Sequence, residues 1–569
     1  MEVEQGKVAR ENLDVVVVGM GFSGIHVLNK VKGLGLKVRA YEEGKGVGGA
    51  WYWNRYPGAR VDVPSLNYCY SMEEIWSEWD WTERYAGQEE LERYANFVVD
   101  KLELRDLIKF SASVTSARWD ASTSRWLVDI EGGDRVATRY LVMATGTYSA
   151  PIKPAIRGIE SFQGELYFTS FWPKEPVDFT GKKVGIIGTG SSGMQTATEL
   201  GHNAPLEHLY VFQRTANFAL PKRNRPMDPD YQRTFKENYG EFWERARWSG
   251  SGAPVEGEVA PIAHLTDEEF EVRISKAWEI GGPSIYGGIT DLSVNEFVNN
   301  RVADYARKRV KERVDDPEIA ELLTPRDHYI VARRVLTEDN YFEIYNLPHV
   351  DLVNIRKYPI EEVLANGLRT GERFYDLDMI ILATGFDSGT GALLRMDVTG
   401  RDRQTLSEKW STGLRSYLGI GIAGFPNLLM AAGPGSPSIR STGTVSAEQS
   451  GDWIADFISW MDQHGVESVE PTLEAEDQWT THAAKVANAT LLTKNDTQYV
   501  GANVPGKPRV FLCYIGGTGL YRRICDGVRE AGYEGFILRT PDGVIPTADT
   551  WAGLPEGTIS QYGNGIPTI

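Results

Sequence analysis

Two short glycine turns, each lying between a β-branched strand and a helix, constrain this chain more than any other feature. Val15-Val16-Val17-Val18 reads as a buried parallel strand and runs directly into Gly19-Met20-Gly21-Phe22-Ser23-Gly24. A helical pattern continues through Ile25, Val27, Leu28 and Val31, and Gly33 and Gly35 stop it. Lys37 to Tyr41 then reads as a second strand that ends at Glu42. The same order recurs at 184–214. Val184-Gly185-Ile186-Ile187 is the strand and Gly188-Thr189-Gly190-Ser191-Ser192-Gly193 is the turn. The helix runs on through Leu200, and Leu209 to Phe212 is the next strand.

The spacing G-x-G-x-x-G between strand and helix suits a pyrophosphate. The first glycine makes the tight turn, the second admits the ligand to the backbone, and the third lets helix and strand pack closely. Exposed N–H groups and the helix dipole then attract the anion. The two units differ at the end of the second strand. Glu42 stands where an acidic residue holds a ribose hydroxyl. The second unit ends in Phe212-Gln213-Arg214-Thr215, with no acid. A carboxylate would repel a 2′-phosphate and a guanidinium grips it, so Arg214 favours NADP(H) over NAD(H). The competing reading makes Arg214 an ordinary surface arginine.

With 569 residues the chain is too long for one core. Its fold class reads as α/β, with two Rossmann-like dinucleotide-binding domains plus a helical insertion. The stretch 225–330 is rich in Glu, Arg, Trp and Asn, and 267–278 and 294–314 have the pattern of amphipathic helices. Strand character returns at Met379 to Leu382, followed by Ala383-Thr384-Gly385. Another Ala-Thr-Gly, at 144–146, ends the strand Tyr140 to Met143. The pair suggests two points where the chain passes between domains. A helical pattern runs from Val445 to Met461, and the tail beyond Ala548 reads as surface loops. The division expected is therefore 1–150 and 388–569 for the first nucleotide domain, 151–224 and 331–387 for the second, and 225–330 for the insertion. His26 reads as a packing or surface residue, and the acidic clusters Glu89-Glu90 and Glu474 to Asp477 as solvated helix faces.

Charge and cysteines bound the function. A formal net charge of −18 repels polyanions, which argues against nucleic acid as a partner. Cys69, Cys513 and Cys525 form no CxxC pair, so dithiol chemistry has no candidate. No apolar run approaches the roughly 20 residues that span a bilayer. The polar start, Met1 to Asn12, lacks the apolar core of a signal peptide. A cytoplasmic protein without a membrane partner is the expectation. Two dinucleotide folds in one chain suggest hydride transfer from NADPH to a flavin. Without a cysteine pair, oxygen is the obvious next acceptor.

Four further segments carry a specific resemblance. Residues 49–62, Gly-Ala-Trp-Tyr-Trp-Asn-Arg-Tyr-Pro-Gly-Ala-Arg-Val-Asp, resemble the G-x-W-x-x-x-x-Y-P-G-x-x-x-D signature of Baeyer–Villiger monooxygenases. Phe162-Gln163-Gly164, Phe168 and Trp172-Pro173 resemble their second signature, F-x-G-x-x-x-H-x-x-x-W-P. Ala383 to Asp387 and the stretch 499–509 are similar as well. The resemblance implies FAD and NADPH as cofactors, with a small ketone and O2 as substrates. It also implies a C4a-peroxyflavin that converts the ketone to an ester or lactone. In the pair Arg333-Arg334 it places Arg334 beside the flavin, with Asp62 fixing its direction, and Arg333 on the NADP 2′-phosphate. Cofactor contacts fall on Gly19, Gly21, Phe22, Ser23, Gly24, Glu42, Gly49, Trp51, Asp62 and Tyr68 for FAD. For NADPH they fall on Gly188, Thr189, Gly190, Ser191, Ser192, Gly193, Gln195, Arg214, Thr215 and Arg333. No metal ligand set is expected.

Two departures stand out. Phe168 replaces the family histidine and removes a hydrogen-bonding, titrating ring from a position tied to domain movement. Gln498 stands where family members carry tryptophan. The loops 430–445 and 495–503 and the insertion are expected to shape the substrate pocket, with Gly443 leaving it room. Nitrogen- or sulfur-oxygenating flavin monooxygenases, and an uncoupled NADPH oxidase, remain as alternatives.

Overall fold

The computed structural model describes residues 11–553 apart from position 372. Most of the polar N-terminal segment and the end of the tail, 554–569, lie outside the described residues.

Both strand–turn–helix–strand units form as the sequence predicts. In the first, the strand Glu11–Val18 lies between Val38–Tyr41 and Arg135–Met143 and is parallel to both. The helix Phe22–Lys32 covers one face. Val15, Val16 and Val17 are fully buried, as a strand with both faces covered requires. Antiparallel strands Val114–Asp120 and Arg125–Ile130 extend this sheet, and Leu428–Met430 returns to it beside Leu141 to Met143. The long helix Gly443–Gln463 packs along Phe22–Lys32.

The second sheet is wholly parallel. Its spatial order is Val350–Asn354, His208–Gln213, Lys183–Ile187, Met379–Leu382 and Glu165–Phe168. Helix Ser191–Asn203 covers it. Phe168 ends the edge strand opposite Leu382 and joins the apolar packing of that sheet. The two Ala-Thr-Gly segments lead into adjacent chain. Ile152 N donates to the Gly385 carbonyl at 3.0 Å and Asp387 N to the Ala150 carbonyl at 2.8 Å.

The stretch between 225 and 330 is helical, including Asp267–Ile280 and Glu296–Lys311, with its own apolar core around Phe270, Ile274, Val298 and Val302. A capping box, Thr266 with Glu269, starts the first of these helices. The expected 294–314 helix is shorter at both ends, running Glu296–Lys311; Asn295, whose side chain accepts from Val298 N, caps its start. The three cysteines are free and buried. No described helix is long and apolar enough to cross a membrane.

Three expectations need correction. Glu90 and Glu476 are buried, not solvated. Glu90 accepts from Thr82 N and Oγ1 at 2.8 and 2.9 Å, which brings the chain near Trp81 onto its helix. Glu476 pairs with Lys409 at 2.7 Å and accepts from Ala423 N at 3.0 Å. A helix in a large protein meets several neighbours, so a run of acids can contain one buried anchor. The tail also turns inward before it leaves the described residues. Trp551 is buried against Trp479 and His482. His26 is a packing residue, stacked on Tyr70 and bonded to Asp452 at 2.9 Å.

Candidate active site

Each glycine turn is built against the Ala-Thr-Gly segment of its own sheet. Gly19 has φ 93° and Gly188 φ 112°, the left-handed side that suits glycine. A Cβ on Gly19 would stand 2.7 Å from the Ala144 carbonyl oxygen, and one on Gly188 would stand 2.4 Å from that of Ala383. The third glycines are tighter. A Cβ on Gly24 would fall 1.9 Å from the Gly19 carbonyl oxygen, and one on Gly193 2.0 Å from that of Gly188. Both helices begin without a capping side chain and without an acid in the first turn. Their leading N–H groups are therefore left for an anion.

A cavity of about 870 Å³ runs between the two turns. It is lined by Gly19, Gly21, Phe22, Ser23, Glu42, Gly49, Trp51, Asp62 and Tyr68 from the first set of candidates. From the second it takes Gly190, Ser191, Ser192, Gln195, Arg214 and Arg333, and Arg334 joins them. Gly24, Gly188, Thr189, Gly193 and Thr215 stand behind this wall. The glycines there permit close packing, and Thr189 Oγ1 donates to the Thr215 carbonyl at 3.0 Å, tying turn to strand end. Gly49, with φ 56°, packs on Gly21. Trp51 meets Tyr68 edge to face. Gln498 lines this cavity too, beside Thr497.

The strand-end residues differ in what they touch. Glu42 is buried and accepts from Met20 N and Gly44 N, each at 2.7 Å. Burial raises its carboxyl above the ordinary range, against these two donors. Arg214 is exposed and forms no ion pair with a carboxylate among the described residues. Burial lowers the pKa of Arg333, as do the nearby Arg214 and Arg356 guanidiniums, while Asp327 opposes them. A cluster of like charge facing a cavity is suited to a phosphate.

Arg334 occupies the junction. Its Nε donates to Asp62 Oδ2 at 2.9 Å, and Nη1 donates to the Tyr148 hydroxyl at 3.4 Å. Thr337 Oγ1 donates to Asp62 Oδ1 at 3.2 Å, so both carboxylate oxygens are held. About 39% of the Arg334 side chain remains open to the cavities although the residue lies deep in the protein. Burial opposes its charge, but Asp62 and the surrounding tyrosines outweigh it and hold its pKa well above the ordinary value. Burial pushes the Tyr68, Tyr148 and Tyr286 phenols upward, so they stay neutral.

A second cavity of about 530 Å³ shares Asp62, Tyr68, Arg334, Ile439, Ser441 and Gly443 with the first. The insertion contributes Trp248 and Tyr286 to it, and the C-terminal part contributes Arg440 and Tyr499. Thus loop 430–445 and the insertion do shape it. The segment before Arg333 is strained there: Val331 has φ 71°, which β-branched residues rarely take, and its carbonyl accepts from Arg440 Nη1 at 3.4 Å.

Sequence reasoning missed Tyr148, Thr337 and Tyr56. Tyr56 donates to Gln195 Oε1 at 2.9 Å, and Gln195 Nε2 donates to the Arg60 carbonyl at 3.1 Å. The first signature is thereby tied to the helix of the second turn. The signature's tyrosine was visible in sequence, but its partner was not.

Residues 12–231 match the family model described as flavin-binding monooxygenase-like. A Baeyer–Villiger monooxygenase of Pseudooceanicola batsensis is 38% identical over 94% of this chain and 98% of its own. The phenazine N-monooxygenase PhzNO1 of Lysobacter antibioticus is 37% identical over 93% of this chain and 98% of its own. The structure titled oxidized steroid monooxygenase bound to NADP superposes with a TM-score of 0.88, at 42% identity, covering 93% of this chain and 99% of that one. With two glycine cradles facing one cavity and similarity along almost the whole chain, this protein belongs to the Baeyer–Villiger monooxygenase family of flavin-binding monooxygenases.

Proposed function

We propose that this protein oxidises a ketone to an ester or lactone, consuming one O2, one NADPH and one proton and releasing water and NADP⁺. The observation that carries this reading is the Arg334–Asp62 pair in the wall common to two cavities, one reaching both glycine turns and the other opening on the far side of the pair toward the insertion. The residues present fit both cofactors. The cradles admit no Cβ at Gly19, Gly24, Gly188 or Gly193, and both helix starts are uncapped. FAD would lie on Gly19, Gly21, Phe22, Ser23, Gly24, Glu42, Gly49, Trp51, Asp62 and Tyr68. NADPH would lie on 188–193, Gln195, Arg214, Thr215 and Arg333. Residues 1–150 with 388–569 would form the flavin half, 151–224 with 331–387 the coenzyme half, and 225–330 the helical insertion. FAD held there would supply a hydride acceptor for NADPH and a centre for oxygen activation.

The chain's own residues do the rest. Arg334 keeps its proton at any working pH and stabilises negative charge as it develops on oxygen beside the ketone. Asp62 fixes one edge of the guanidinium and leaves the other free to turn toward the cavity. Tyr68, Tyr148 and Tyr286, neutral and close by, supply hydroxyl donors. The insertion contributes Trp248 and Tyr286 to the wall around this charge.

The test is incubation with NADPH, O2 and a panel of linear, cyclic and aryl ketones, with esters identified by mass and peroxide measured alongside. Ester formed in step with NADPH consumption supports the reading. Peroxide in place of ester would favour the uncoupled oxidase. N-oxides from added amines, without any ester, would favour nitrogen oxygenation.

A further inference from the structure

The second cavity is positively charged inside a strongly acidic protein. The chain carries a formal −18, yet the charged residues that line this cavity are Asp62, Arg245, Arg334 and Arg440. Asp62 is committed to Arg334. Neither Arg245 nor Arg440 pairs with a carboxylate among the described residues. Arg440 is half-buried; it donates to the Val331 carbonyl at 3.4 Å and lies 5.4 Å from the Tyr499 ring centre. These contacts satisfy part of its fork and leave its charge unbalanced. A half-buried guanidinium with no carboxylate beside it is open to an anionic ligand.

The placement gives that ligand a shape. Tyr286 and Tyr499 lie close enough to both Arg334 and Arg440 to influence each. Both guanidiniums line this one cavity of about 530 Å³. Arg334 is taken by the oxygenation chemistry of the proposed function. Arg440 is not needed for it, and a planar fork matches a carboxylate.

We propose that the substrate of this protein is a ketone that carries a carboxylate, anchored on Arg440 with its carbonyl turned toward Arg334. Arg245, exposed at the wall of the same cavity, draws the anion in against the acidic surface. This rests on the ketone-oxidising function and deepens it.

The experiment compares a cyclic ketone bearing a carboxymethyl arm with its methyl ester, on purified holoenzyme. Wild type should prefer the acid by tenfold or more in kcat/KM. Arg440→Gln should raise the KM for the acid at least tenfold and bring the acid-to-ester ratio close to one, while Arg440→Lys keeps part of the preference. A separate readout needs no turnover: the corresponding carboxylic acid without a ketone should bind wild type in calorimetry and lose that binding in Arg440→Gln. Flavin content and thermal midpoint check that the variants are folded. If the ester is oxidised as well as the acid by wild type, or if Arg440→Gln keeps the ratio, the carboxylate site is wrong. If neither compound is oxidised but the ketone-free acid binds through Arg440, the site stands and the ketone-oxidising reading falls.

Discussion

The two glycine turns are nearly the same object made twice. Each has a left-handed first glycine against an alanine carbonyl, a third glycine wedged under the first, and an uncapped helix behind. They part at the end of the next strand. Glu42 is buried and spends both oxygens on its own loop, at Met20 N and Gly44 N. Arg214 is exposed and lacks a carboxylate partner among the described residues. The backbone sets what both turns share, an anion seat, and one side chain sets what they do not. The first turn is braced from within, as suits a ligand that stays. The second is open and charged, as suits one that comes and goes.

The largest effect should come from destroying one cradle at a time. Gly24→Val and Gly193→Val each force a side chain onto a carbonyl that already lies about 2 Å from an ideal Cβ. Gly24→Val should yield colourless protein with no bound flavin. Gly193→Val should stay yellow and lose NADPH-driven flavin reduction. Flavin absorbance and anaerobic reduction separate the two. A yellow Gly24→Val with normal flavin content would break the assignment of the turns.

Arg334 belongs to neither turn, so its loss should spare both. Arg334→Ala should keep flavin and remain reducible by NADPH, while ester formation falls by about 10²–10³, the cost typical of removing one preorganised charge-stabilising donor. Asp62→Ala should fail less completely, since Tyr148 still borders the guanidinium. Product yield per NADPH measures both. Wild-type ester yield from Arg334→Ala would remove it from the chemistry.

The turns were legible in sequence because each is a local device, where strand, glycine spacing and helix lie within a few dozen residues of one another. The Asp62–Arg334 pair spans 272 positions and was reached only through the family signature. Composition and spacing alone gave neither residue a role. The buried acids were misread for a related reason: Glu90 and Glu476 find their partners outside their own helices, which helical patterning cannot register. Val331 is a further case, since nothing in a valine announces φ 71°. The Arg440 cavity needed three separate parts of the chain to be brought together.

A smaller effect tests the open turn. Arg214→Ala removes a charge-assisted contact worth roughly 1.5–3 kcal/mol, so the KM for NADPH should rise about 10- to 100-fold with little change for NADH. Arg333→Ala should act in the same direction, and the double variant should equalise the coenzymes. Steady-state kinetics with both coenzymes reads this directly. Equal use of NADPH and NADH by wild type would leave Arg214 a surface arginine.

The smallest effect concerns the braced turn, and its sign is opposite to intuition about acids. Burial raises the Glu42 pKa above its unfolded value. The native state therefore holds this proton more tightly than the unfolded chain does. The contribution of Glu42 to stability is largest at acid pH and declines as pH rises through the native pKa. Glu42→Gln has no such proton to lose. Its NH2 group cannot accept where the carboxyl group presents a second oxygen, one to Met20 N and one to Gly44 N. Glu42→Gln should therefore be less stable than wild type by a few degrees at acid pH, and the gap should narrow toward neutrality. Flavin retention should weaken in parallel, because the turn loses half its brace. Arg214→Ala, at the other turn, should show no matching trend, since it removes no carboxyl group. Thermal midpoints of wild type and both variants between pH 4.5 and 8 decide it. A gap for Glu42→Gln that widens with pH would mean the carboxylate is stabilised in its charged form, and the contrast between the two strand ends would need another cause.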